Sequence, residues 1–99
     1  MPREIVQELR ACIPEHVVHR DFEEETVVLN LETGQYHGLN ITARRMLAAL
    51  VEADSIAVAA ALLEEELGSP RSRIERDLVH LADALVARGL LQFDDARAA

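Results

Sequence analysis

Four histidines (His16, His19, His37, His80), the single cysteine Cys12 and the acidic run Glu23-Glu24-Glu25 are the side chains with which this chain could do chemistry. Two histidines three positions apart chelate a metal only from one face of a helix. The string HVVHRDF, residues 16–22, reads as a strand, where positions i and i+3 face opposite sides. Cys12 as a nucleophile would need a histidine base, a group orienting that base and oxyanion donors, and nothing in the sequence supplies them. One thiol makes neither an intramolecular disulfide nor a metal site, and it fits a reducing, cytoplasmic compartment. The acidic run reads as a solvated turn. Gly34, Gly38, Gly68 and Gly89 are scattered, so no glycine-rich phosphate loop occurs. The expectation is a chain without catalytic group, metal or cofactor.

Basic residues pose a different question. Arg71, Arg73 and Arg76 would open the third of three helices, the position from which a winged helix reads DNA. Glu75 and Asp77 interleave with them, and the formal charge is −8. Nucleic acid and anionic membrane both need positive charge at the contact, so neither is expected as a partner. The arginines are then a solvated face or partners for acidic residues of a bound peptide. No apolar run approaches the roughly 18 residues that span a bilayer, and residues 1–12 do not read as a signal peptide.

The elements that must position any site begin with TVVLNLETGQYHGLN, residues 26–40. Val27, Leu29 and Leu31 alternate with Val28 and Asn30, the period of a strand with one buried face. Glu32-Thr33-Gly34 reads as a hairpin connection, with Gly34 where φ is positive. Gln35 to Leu39 returns as a second strand, and Asn40 reads as the N-cap of a helix. His16–Phe22 precedes them as a first strand. Met1 to Cys12 reads as a short, weakly docked helix ended by Pro14. Helices are expected over Ile41 to Glu52, with Arg44 and Arg45 outward, and over Ile56 to Leu67, capped by Asp54 or Ser55 and closed by Gly68. The third runs from about Pro70 to Arg88, with Ser69 as N-cap, proline at the first helical position and Gly89 as stop. Ile74, Leu78, Leu81 and Leu85 form its buried stripe. Leu90, Leu91 and Phe93 pack back on the core, and Asp94 to Ala99 fray.

Strands followed by helices indicate α+β, a winged helix-turn-helix of three antiparallel strands and then three helices. The domain is expected over residues 16–93, between an N-terminal extension (1–15) and a C-terminal tail (94–99). With 49% hydrophobic and 3% aromatic residues, the core must be aliphatic.

Two features are left over. Val79, Ala82 and Val86 widen the stripe of the third helix on one side, with Asp77, Ala84 and Arg88 on the other flank. They either pack under a neighbouring element or line a groove. Gly38 lies inside a strand, which marks either a bulge or close approach by another backbone. If Gln35–Leu39 is a sheet edge, its unpaired main-chain groups can template an incoming strand. The candidate peptide site is therefore Gln35, Tyr36, His37, Gly38 and Leu39, with Ile74, Glu75, Leu78, Val79 and Ala82 on the helix.

VVLNLETGQYHGLN, followed by ITARRML and then by Asp77-Leu78, Leu81, Leu85 and Gly89-Leu90-Leu91, resembles the PqqD-like family, also called RiPP recognition elements. The match covers about residues 16 to 93. Ile41 stands where the family often has proline, a position where proline is optional. The resemblance implies a leader-binding winged helix. In that family the precursor's leader adds as a strand to the third β-strand, against the third helix. A stand-alone chain looks most like the leader-binding proteins of lasso peptide biosynthesis, which present the precursor to a leader peptidase and then a cyclase. The alternatives are a DNA-binding regulator and a peptide chaperone of another such pathway. Self-pairing through the open edge would give a homodimer.

Overall fold

The computed structural model describes residues 9–95. Its elements are β1 (Leu9–Cys12), β2 (Val17–Asp21), β3 (Glu25–Asn30), β4 (Tyr36–Asn40), α1 (Ile41–Glu52), α2 (Ile56–Leu67), α3 (Arg71–Ala87) and β5 (Gln92–Asp95). β2, β3 and β4 form an antiparallel sheet in that order, and β1 pairs with β5 in a separate two-stranded sheet. The fold is α+β, with the three-stranded sheet followed by three helices.

Local chemistry accounts for most boundaries. Asn40 Oδ1 accepts the Ala43 N–H at 2.8 Å and starts α1. Ser55 Oγ accepts the Val58 N–H at 3.2 Å and starts α2. Gly68 ends α2 at φ 70°. At the end of α3 the Leu90 N–H reaches Leu85 O at 2.8 Å and the Gly89 N–H reaches Val86 O at 3.0 Å. With Gly89 at φ 68°, that is a Schellman stop, and buried Leu85 and Leu90 supply its usual apolar contact.

Four expectations need correction. Residues 9–12 are a strand, not the end of a helix, and Ala11 belongs to the core; the rest of the expected N-terminal helix lies outside the described residues. Asp94 pairs with Arg10 rather than fraying, and the rest of the expected frayed tail, residues 96–99, lies outside the described residues. Such a pairing joins segments some eighty residues apart, so no local periodicity announces it. Pro70, not Ser69, is the N-cap of α3; its carbonyl takes the Arg73 and Ile74 N–H groups, and no side chain caps the helix. Arg44 does not point outward: its guanidinium lies over the sheet and donates to Phe22 O and Thr26 Oγ1, both at 3.3 Å. Arg45 does reach out, to Glu66 of α2.

The face of β3 that turns inward carries Thr26, Val28 and Asn30; Val27 and Leu29 are half-buried on the other side, and Leu31 is exposed beyond the strand. Asn30 makes this register affordable in polar terms. Its Oδ1 accepts the Glu32 and Thr33 N–H groups at 2.9 and 3.1 Å, and its Nδ2 donates to Gly89 O at 2.9 Å. A buried amide so satisfied ties the hairpin turn to the end of α3. Val28 and Leu39 from the sheet meet Leu50, Ile56, Leu63, Leu78 and Leu85 from the helices in one aliphatic core. Ala59 and Ala60 on α2 and Ala82 on α3 are fully buried, as required where two helices approach closely.

Candidate functional site

The open side of β4 is the place to look for a strand-binding site. Among the described residues no strand pairs with it on the side away from β3. The phase of its free groups follows from the ladder. Asn30 N bonds Gln35 O at one end of β3–β4, while Leu31 N bonds His16 O on the β2 side. Antiparallel pairing alternates, so Asn30 and Val28 bond toward β4 and Leu29 and Val27 toward β2. The partners of Leu29 and Val27 across β4 are Tyr36 and Gly38. Their N–H and C=O groups therefore point away from the sheet, ready for a further strand.

Beside this edge lies a cavity of ≈ 480 Å³, lined by residues 33–38 of the hairpin and by Arg88. Arg88, one residue past α3, bonds His37 Nδ1 through its Nη1. A guanidinium has only donors, so Nδ1 accepts and the imidazole is neutral. Partial burial, and then the Arg88 charge, hold the His37 pKa below the ordinary histidine value. The unfolded chain takes up this proton first, so acidification through the ordinary imidazole range weakens the fold, and only below the lowered pKa does the folded ring lose its acceptor for Arg88. We expect the His37 ring, followed by NMR across pH, to titrate below the ordinary histidine value. In Arg88→Ala its midpoint should rise part of the way back, since burial remains. A midpoint unmoved by that substitution would mean the pairing is not made in solution.

The other anticipated residues divide clearly. Gln35, Tyr36, His37 and Gly38 line the cavity, Tyr36 at 66% exposure. Leu39, Ile74, Leu78 and Ala82 are at 1% exposure or less and do not line this cavity. Glu75 and Val79 are half-buried and do not line the cavity, and Val79 packs on the core. Arg88, on the flank opposite Val79 and Val86, lines the cavity although the residues alone do not single it out as a site candidate. A cation just ahead of a helix-ending glycine was its only signal. Gly38 sits in plain register opposite Val27, with no bulge. A Cβ there would stand 3.1 Å from Glu25 Oε2.

Elsewhere the reactive groups are quiet. Cys12 Sγ donates to Asp94 Oδ2 at 3.2 Å. Burial, and then that acceptor, push its pKa up, away from the thiolate a nucleophile needs. Arg71 pairs with Glu64 and Arg73 approaches Asp77 at 3.9 Å. Among the described residues no group of three or more His, Cys, Asp or Glu is placed to hold a metal, and no helix is long and apolar enough to cross a membrane.

Coenzyme PQQ synthesis protein D (PqqD) is the family that matches, over residues 25–91. No curated protein matches the chain. Two solved structures are similar. TbiB1 in complex with the TbiA(beta) leader peptide has 31% identity and a TM-score of 0.72, with 81% of this chain and 93% of that one covered. Lasso peptide synthetase B1 complexed with the leader peptide has 25% identity and a TM-score of 0.74, with 84% and 98% covered. The family match takes in the hairpin, all three helices and the Gly89-Leu90-Leu91 stop, and on that ground the chain belongs to the PqqD family.

Proposed function

We propose that this protein is a non-catalytic adaptor that binds the leader of a ribosomally made precursor peptide, of the lasso peptide class, and presents it to a leader peptidase and then a cyclase in the cytoplasm. The reading is carried by the unpaired β4 edge, with the main chains of Tyr36 and Gly38 aimed over a cavity whose one cation is Arg88. Both similar structures are complexes with leader peptides, which supports it.

The guest enters as a strand beside β4. Its main chain bonds Tyr36 and Gly38, and the side chain between those bonds turns inward toward His37 and Arg88. At 100° per residue Asp77, Leu81 and Ala84 share the Arg88 flank of α3, and the proposed groove follows this flank, with Arg88 the α3-side residue that lines the cavity itself. Main-chain bonds give affinity and the inward side chain gives selectivity. A homodimer through β4 would use the same groups and would dissociate as leader is added.

Titrating the ¹⁵N-labelled protein with the leader of a candidate precursor tests this. Amide shifts should centre on Tyr36, Gly38 and Arg88. Calorimetry should show a negative heat-capacity change and a shallow salt slope. A steep salt slope with duplex DNA and no response to leader would favour the regulator instead.

A further inference from the structure

A second cavity, of ≈ 300 Å³, lies between the sheet and α1 at the opposite edge. Its walls are Val17 and Val28 of the sheet and Leu47, Ala48 and Val51 of α1. The reason for the gap is in the inward face of β2. After Val17 that face carries His19 and Asp21, both exposed, so α1 covers β3 and β4 but has nothing apolar to cover there. Pockets of this size sit at the small end of ligand sites and suit one aliphatic side chain.

The cavity opens beside β2, which among the described residues pairs only with β3. Leu31 N bonds His16 O and Phe22 N bonds Glu25 O, so the even-numbered residues of β2 face β3. The main-chain groups of His19 and Asp21 point outward. Asp21 and Glu52 stand on the cavity wall, and Glu23 and Glu24 follow in the turn. The guanidinium on the cavity wall, Arg44, is engaged with Phe22 O and Thr26 Oγ1, and Arg20 of β2 lies on the other face of the sheet, over the Phe22 ring. The mouth is therefore apolar inside and acidic at the rim.

We propose that the β2 edge is a second strand-docking site, for an extended segment of a partner protein with one aliphatic side chain and Lys or Arg two residues to either side. A guest residue paired with His19 turns its side chain inward over α1, where the cavity takes it. Its neighbours two positions away lie on the same face, against Asp21 and Glu52. The acidic rim selects a basic segment and disfavours a second copy of this −8 chain. This site does not depend on the leader-binding reading, because the two edges share no strand.

The probe is the capped hexapeptide Thr-Lys-Thr-Leu-Thr-Lys, titrated to millimolar concentration into the ¹⁵N-labelled protein. Shifts are expected at His19, Asp21 and Val51, and not at Tyr36 or Gly38. Replacing the peptide's Leu by Ala should weaken binding about tenfold, as expected for an anchor leaving its pocket. Ala48→Phe, which fills the cavity, should weaken it as much; Glu52→Lys, at an exposed helix end that favours a cation, should weaken it about threefold. Native melting of both variants is the control for folding. No shifts at millimolar peptide, shifts confined to β4, or equal affinity in both variants would overturn the proposal. Concentration-dependent broadening of His19 and Asp21 without peptide would overturn it in favour of a second copy. Leader titration of the same variants should still shift Tyr36 and Gly38, so the two edges fail separately.

Discussion

Gly38→Pro should lower leader affinity by about 10- to 100-fold, while Gly38→Ala stays within about threefold of the parent. The Gly38 N–H points away from β3. Proline there removes a donor to the guest and no bond within the sheet, which is the one setting in which a strand tolerates proline. The guest carbonyl left without its donor accounts for the loss, about 1–3 kcal/mol for a polar group stranded at an interface. Alanine keeps the donor. Its Cβ would stand 3.1 Å from Glu25 Oε2, and Glu25 is an exposed, flexible side chain that can move by a few tenths of an ångström. Calorimetric titration of both variants, with melting curves as the control for folding, makes the comparison. If alanine and proline weaken binding equally, the main-chain bond is not the source of affinity. The groove would then act through side chains alone.

Asn30→Ala is the substitution expected to harm the fold most for its size, by about 2–4 kcal/mol. Asn30 is at 2% exposure and holds three bonds. They are not equal. Glu32 and Thr33 are exposed, so water replaces the carboxamide on their N–H groups. Gly89 O, half-buried beside the helix stop, loses its partner with little water to take its place. For a domain of this size the loss corresponds to a fall of roughly 10–20 °C in melting temperature. A double-mutant cycle separates the bond from the space. Gly89→Ala is costly in the parent for two reasons: φ is 68°, and the new Cβ would lie 2.8 Å from Asn30 Nδ2. With Asn30 already alanine only the backbone strain remains, about 1–2 kcal/mol. The second substitution should therefore cost less in the Asn30→Ala background. Additive losses would show that the two residues do not touch in solution.

The Asn30–Gly89 bond also bears on the proposed leader site. It fixes the hairpin turn against the end of α3, and Arg88 is the residue before Gly89. The same amide that satisfies the turn thus sets the distance between the β4 edge and the cation beside it.

Elements written in local chemistry were legible from the residues. Caps at Asn40 and Ser55, the glycine stops at 68 and 89 and the four-three-four leucine spacing of α3 act over one or two turns of chain. They placed α1 and α2 at Ile41–Glu52 and Ile56–Leu67. The residues left it open whether Gln35–Leu39 is a sheet edge; the strand order β2-β3-β4 of the described residues answers that. Local signals did not reach the pairing of β1 with β5, because that ladder is bought by contact between distant segments rather than by propensity. Nor could they say which flank of α3 meets the hairpin. Both flanks carry half-buried side chains, and a helix with a stripe wider than its core can rotate either way until its neighbours stop it. The tertiary structure made that choice. Packing of Ala82 into the helix cluster and the bond from Asn30 to Gly89 turn Arg88 toward His37, and residues separated by fifty positions become one site.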